Sequence, residues 1–213
     1  MGADRVALPR RVIARRTLQG APETVAPLLL GAVLVHDTDD GRVAVRLTEV
    51  EAYAGERDPA SHAWRGPTPR SRVMFGPPGH AYVYFSYGVH WCMNVVTRPD
   101  GIASAVLLRA GEVVEGLELA RARRGAVADR DLARGPGRLC QALGLTGPDT
   151  GTDVCDPQGR LRLLARPRPP AAIATGPRIG ITRAAELPWR FWIAGDRFVS
   201  GARRNGGREP VVP

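Results

Sequence analysis

The run Ala81-Tyr82-Val83-Tyr84-Phe85-Ser86-Tyr87-Gly88 constrains the fold more than any other stretch of the chain. Aromatic and β-branched residues at that density favour an extended strand, and Tyr87-Gly88 falls where a two-residue hairpin turn would sit. Alternation puts Tyr82, Tyr84 and Ser86 on one face and Val83 and Phe85 on the other. A returning strand is expected over residues 89–97. The run predicts an antiparallel hairpin with a large aromatic ring at its tip, a shape suited to a wedge. Ordinary sheet core has the same composition, so the remaining sequence has to separate the two readings.

A second hairpin is expected where Asp39-Asp40-Gly41 separates residues 32–36 from residues 42–53, because an Asp-Gly pair supplies the backbone freedom of a tight turn. By strict alternation Leu47, Glu49, Glu51 and Tyr53 share a face of that strand. Ala21-Pro22-Glu23 opens a helix that Gly31 can close. Pro99-Asp100-Gly101 turns the chain into a third antiparallel strand over 103–109, and residues 115–124 and 138–143 read as helices. Weaker strands are expected over 161–165, 178–182 and 190–194. Residues 54–79 are rich in Gly, Pro, Arg and Ser, and a connection that long inside one domain is usually functional or locally structured. The pattern supports an α+β class in a single domain over residues 17–200. A loose basic arm with five arginines is expected over residues 1–16, and an arginine-rich tail over 201–213.

At 213 residues the chain can bury one substantial core. Its net charge of +9 favours an anionic partner, most simply nucleic acid. All 30 basic residues are arginine, so Schiff-base chemistry through a side-chain amine is excluded and only the terminal amine remains. The three cysteines, Cys92, Cys140 and Cys155, have no paired metal-ligand spacing, which argues for a reducing compartment without disulfides or zinc. Neither metal nor cofactor is expected. No signal sequence or membrane span is recognisable, so a soluble monomer of the bacterial cytosol is expected.

Thr48-Glu49-Val50-Glu51-Ala52-Tyr53 and Asp58-Pro59-Ala60-Ser61-His62-Ala63 resemble the alkyladenine (3-methyladenine) DNA glycosylases. So, in order, do Arg65-Gly66-Pro67-Thr68-Pro69-Arg70, Val73-Met74-Phe75-Gly76-Pro77-Pro78-Gly79, the aromatic hairpin through Asn94, and residues 105–110. Residues 133–143 and Pro188-Trp189-Arg190-Phe191 extend the resemblance, which covers residues from about 25 to 200. An ordered series of long matches is far more specific than one short motif.

The resemblance implies an open, barrel-like antiparallel sheet with surrounding helices and a protruding hairpin. It also implies hydrolytic removal of alkylated or deaminated purines from double-stranded DNA, leaving an abasic site. A glycosylase must rotate the damaged nucleotide out of the stack, hold it, and fill the vacancy. Tyr87 takes the wedge role, with Leu107 packing beside it at the intercalated step. Tyr53 and Tyr84 present π-faces to the flipped base, and an electron-poor alkylated purine gains a cation–π term that normal bases lack. His62 contacts the base at its pairing edge, and Asn94 crowds the exocyclic amino group of guanine. Glu51 acts as general base on a water, its negative charge also stabilising an oxocarbenium-like transition state. Arg109 is the partner that keeps it charged. Glu49, His36, His80 and His90 are read as structural.

Two competing classes share some of these features. A noncatalytic module could keep an aromatic pocket and read nucleic acid without cutting it. A formyl-transfer or deformylation enzyme could share the fold, but no suitable cofactor motif accompanies it.

Overall fold

A computed structural model describes residues 8–201; residues 1–7 of the expected arm and 202–213 of the expected tail lie outside them. The first elements follow the turn chemistry. Pro22 at the first helical position and Glu23 in the first turn start α1 (Pro22–Leu29), and Gly31, at φ +84°, turns the chain out of it. The strands β1 (Val33–Thr38) and β2 (Gly41–Tyr53) then pair antiparallel across the Asp39-Asp40 turn. The aromatic hairpin is β3 (Ala81–Ser86) and β4 (His90–Val96). Tyr87 and Gly88 both have positive φ, +49° and +67°, the pattern of a type I′ turn whose twist matches the flanking strands.

The third strand runs further than expected, as β5 (Ala105–Glu115), and takes Glu115 from the predicted helix. Gly116, at φ +76°, then separates it from α2 (Leu117–Arg124). α3 (Pro136–Leu143) follows, and β6 (Leu161–Leu164), β7 (Ile173–Gly176) and β8 (Arg190–Ile193) complete the described residues. The expected strand at 178–182 is irregular, and the strand lies before it. Pro177 cannot donate to a ladder and Gly180, at φ +79°, bends the chain. Strand order is β3-β4-β5-β2-β1-β6, with β8 joining β2 and β7 joining β8, all pairs antiparallel. The result is a curled half-barrel sheet with its helices packed on it, an α+β domain.

Part of the expected loose arm is docked. Val12 bridges to Leu164, Ile13 is buried, and Arg15 reaches Asp153 at 2.6 Å.

The strict alternation expected along β2 fails at one place, and that place positions the site. Val43, Val45 and Leu47 face the core, but so do Val50 and Ala52. Leu47 pairs with Gly111, Glu49 with Ala110 and Val50 with Leu108, so Thr48 is an extra residue on β2 and Arg109 an extra residue on β5. Each bulge shifts the pleat by one residue. Leu47 therefore faces the opposite side from Glu49, Glu51 and Tyr53, and the carboxylates leave the core face. At the same point β2 exchanges its β1 neighbour for β8, whose Arg190 lies opposite Glu51. The strands approach closely here: a Cβ on Gly111 would lie 2.4 Å from the Arg46 carbonyl oxygen.

The core lies between the sheet and its helices, with Val25, Ala26 and Leu29 of α1 and Leu139, Cys140 and Leu143 of α3 against Val45, Val50, Val106 and Leu108. Each fully buried aliphatic side chain of this kind contributes about 1.5–3 kcal/mol.

Candidate active site

On the face opposite that core, cross-strand pairing sets a row of side chains in register: Tyr82 of β3 beside Asn94 of β4, Asn94 beside Leu107 of β5, and Leu107 beside Glu51 of β2. The row underlies a cavity of about 530 Å³ lined by Tyr53, His62, Tyr84, Asn94, Leu107 and Arg109, with Tyr87 at its rim. Loop 54–79 and the irregular segment 179–183 supply the remaining wall.

Glu51 itself does not line the cavity. It is fully buried one layer behind the wall, and three groups that do line the wall hold it. The Tyr53 hydroxyl donates to Oε2 at 2.9 Å, the Ile179 N–H donates to Oε1 at 2.8 Å, and Arg109 Nη1 lies 3.2 Å from Oε1. The carboxylate is surrounded by polar donors and not by apolar packing.

Arg109 sits at its own bulge and spans both acids, with Nε donating to Glu49 Oε1 at 2.9 Å. Burial alone would lower its pKa, but the charges of Glu51 and Glu49 outweigh it and raise the value. Glu49 accepts further bonds from Arg190 Nε at 2.7 Å and the Ser200 N–H at 2.6 Å. Burial pushes Glu49 up, and Arg109, Arg190 and Ser200 together hold it below the usual carboxylate range. Glu49 thus anchors the Arg109 guanidinium from behind.

The aromatic residues meet as a set. Tyr82 and Tyr84 rings lie 5.2 Å apart, and His62 meets Tyr84 edge-on at 4.6 Å. The Tyr82 hydroxyl and His62 Nδ1 are hydrogen-bonded at 2.9 Å. Although one side of His62 is open to solvent, desolvation by its neighbours and then the Arg70 charge lower its pKa from 6.5 to about 4, so the ring is neutral near pH 7. Burial, followed by the Glu51 charge, pushes the Tyr53 hydroxyl well above its ordinary value. Burial likewise raises Tyr84, so both remain protonated donors. Asn94 is buried and donates through Nδ2 to the Tyr82 carbonyl at 3.3 Å.

Tyr87 is 89% exposed at the hairpin tip. Leu107, expected beside it as an intercalating residue, is 4% exposed and forms cavity floor, so it has no surface to offer a duplex. Its place in the register, between Asn94 and Glu51, is the physical reason. Sequence reasoning passed over Asp58, Arg178 and Ile179, which tie loop 54–79 to segment 178–184. Asp58-Pro59 carried an Asx-turn signal, and Asp58 does accept the Ala60 N–H at 3.0 Å; Arg178 carried none. His36 and His80 are spent on the Leu143 and Pro77 carbonyls. Among the described residues no group of three or more His, Cys, Asp or Glu could hold a metal ion, and no helix is long and apolar enough to cross a membrane.

An antiparallel half-barrel with an aromatic-walled cavity, an exposed tyrosine at a hairpin tip and a buried carboxylate paired with an arginine of the wall fits a DNA-repair glycosylase. The chain belongs to the methylpurine-DNA glycosylase family, whose model matches residues 16–197. A relative from Frankia casuarinae, provisionally named a 3-methyladenine DNA glycosylase, is 58% identical over 84% of this chain and 87% of its own. Relatives of the same provisional name from Streptomyces avermitilis and Nocardia farcinica are 53% identical over 96% of each chain, and 55% identical over 86% of this chain and 88% of theirs.

Proposed function

We propose that this protein is a monofunctional glycosylase that flips alkylated or deaminated purines out of double-stranded DNA and hydrolyses the N-glycosidic bond with water activated by Glu51. One observation carries the reading: a cavity of about 530 Å³ with aromatic walls, backed by a carboxylate whose three donors all belong to the wall.

An ionised carboxylate offers about four acceptor positions, and three donors leave one for a water proton. Glu51 takes that proton as the water attacks the anomeric carbon, and its charge stabilises the oxocarbenium-like sugar in a site sheltered from bulk solvent. Arg109, held by Glu49, orients Glu51. Tyr87 fills the vacated position in the stack, as apolar and aromatic wedges do from the minor groove. Tyr53 and Tyr84 stack on the base, each contact contributing roughly 1–3 kcal/mol, and an electron-poor ring gains more. Neutral His62 meets the pairing edge, and Asn94 crowds the exocyclic amino group of guanine. Leu107 forms the floor beneath the base. The cationic lesions 3-methyladenine and 7-methylguanine depart neutral and need no acid, whereas hypoxanthine and ethenoadenine must take up a proton on the purine as the bond breaks. With water as nucleophile and no lysine in the chain, the product is an abasic site in an uncut strand. The enzyme acts as a monomer in the bacterial cytosol, and arginine contacts to phosphate make its affinity fall steeply with salt.

The test offers purified protein duplexes containing 3-methyladenine, 7-methylguanine, ethenoadenine or hypoxanthine, followed by alkali to reveal abasic sites. Release of at least one lesion, with the strand intact before alkali, is expected. Tight lesion binding without release from any duplex would leave a noncatalytic binding module.

A further inference from the structure

Arg178 is a buried cation with no role in the chemistry described so far. Its side chain and that of Asp58 are both fully enclosed. Nη1 donates to Asp58 Oδ2 at 2.5 Å and to the Ala52 carbonyl at 2.9 Å. Nη2 donates to Asp58 Oδ1 at 2.9 Å and to the Ala184 carbonyl at 3.3 Å. The guanidinium also lies over the Tyr53 ring, 4.6 Å from its centroid, and 5.2 Å from that of Trp189.

Several of these contacts lead directly to site residues. Ala52 lies between Glu51 and Tyr53. Asp58 also accepts the Ala54 and Ala60 N–H groups, which shape the loop leading into His62. The residue after Arg178 supplies the Ile179 N–H that holds Glu51 Oε1. Stability alone is a weak reason to keep such a pair, since well-packed apolar residues often serve a buried position as well or better. Arg178 Nε is moreover buried without a hydrogen-bond partner, so the fork is seated for its reach to Tyr53 and segment 178–184 more than for complete hydrogen bonding.

We propose that Arg178 is a positioning residue for base release, fixing the plane of Tyr53 and holding the Ile179 amide on Glu51. This rests on the glycosylase reading and deepens it. With the cation on one face of Tyr53, a flipped base stacks on the opposite face only.

The experiment compares wild type, Arg178→Lys and the neutral pair Arg178→Met/Asp58→Asn, whose Asn oxygen still accepts the Ala60 N–H. Single-turnover base release is measured per folded molecule, below each melting temperature. Affinity is measured for duplexes carrying a neutral tetrahydrofuran or a cationic pyrrolidine in place of the lesion sugar. Both variants are expected to bind the tetrahydrofuran duplex like wild type, release base about 10²-fold more slowly, and lose the preference for pyrrolidine. A merely structural role would leave that preference intact. Wild-type release by the neutral pair, or rates that only track the folded fraction, would overturn the proposal. Should the neutral pair fail to fold, Ile179→Pro is compared with Ile179→Ala, which loses the side chain but keeps the N–H donor to Glu51; a further fall of about tenfold in the proline variant supports the link and equal rates overturn it. If wild type itself releases no base and ignores the pyrrolidine charge, the glycosylase reading has failed instead.

Discussion

Replacing Glu51 with glutamine removes one negative charge and little else. The amide oxygen can occupy the Oε1 position and keep the Ile179 N–H at 2.8 Å, while the amide nitrogen faces the Tyr53 hydroxyl, which rotates from donor to acceptor. Arg109 loses one carboxylate partner but retains Glu49 at 2.9 Å, so no buried cation is left alone. The stability cost is therefore that of weakened charge-assisted hydrogen bonds, about 1–3 kcal/mol. Catalysis loses its general base, worth about 10²- to 10⁴-fold in rate, or about 3–5 kcal/mol of barrier at 1.36 kcal/mol per decade. Single-turnover release of 3-methyladenine should fall by that factor, while binding to a tetrahydrofuran duplex stays near wild type and the melting temperature falls only by the several degrees that such a stability cost implies. A glutamine variant that still releases base at nearly the wild-type rate would refute the assignment of Glu51 as base, whatever happened to binding.

Tyr87→Ala should leave the melting temperature unchanged, because the ring is 89% exposed, and should weaken capture of a flipped base by about 1–3 kcal/mol in lesion-duplex titrations. Leu107→Ala should reduce stability in urea by about 2–5 kcal/mol, the cost of a cavity in a packed floor, and an effect on DNA affinity alone would restore its intercalating role. Gly111→Ala places a methyl group 2.4 Å from a backbone oxygen, and urea unfolding should show a loss of at least about 1–3 kcal/mol. His62 has its pKa lowered from 6.5 to about 4, so the unfolded chain binds the proton first and stability falls as pH drops through that window. His62→Gln should flatten the melting temperature between those two pH values, and an unchanged slope would contradict a desolvated neutral ring.

Both hairpins were legible because Asp39-Asp40-Gly41 and Tyr87-Gly88 carry their turn chemistry in adjacent residues, although the first turn closes at Asp39-Asp40 with Gly41 opening β2. The first helix was legible for the same local reason, Pro22 at its start and Gly31 beyond its end. The aromatic wall could be read from period-two alternation along β3. Alternation failed along β2 because nothing local in Thr48 or Arg109 marks a bulge; pairing with the opposite strand creates it. The resemblance placed Leu107 beside the wedge, and nothing local could tell that position from a floor, because an apolar residue on a strand fits either. The Asp58–Arg178 pair joins residues 120 apart, and no local pattern announces a partner at that distance. The strand expected at 178–182 was displaced by Pro177, whose missing N–H outweighs the apolar residues after it.

The compensated bulges at Thr48 and Arg109 let one strand serve two masters. Ahead of them, odd-numbered side chains are greasy ballast for the helices; beyond them, odd-numbered side chains are two carboxylates and a tyrosine on the cavity side. Because the second irregularity cancels the first, the rest of the ladder never registers the disturbance. Were Thr48 paired flat in the ladder instead of looped out of it, Glu51 and Tyr53 would turn into oil, Val50 and Ala52 would turn toward the cavity, and the inside of the enzyme would be exchanged for its outside.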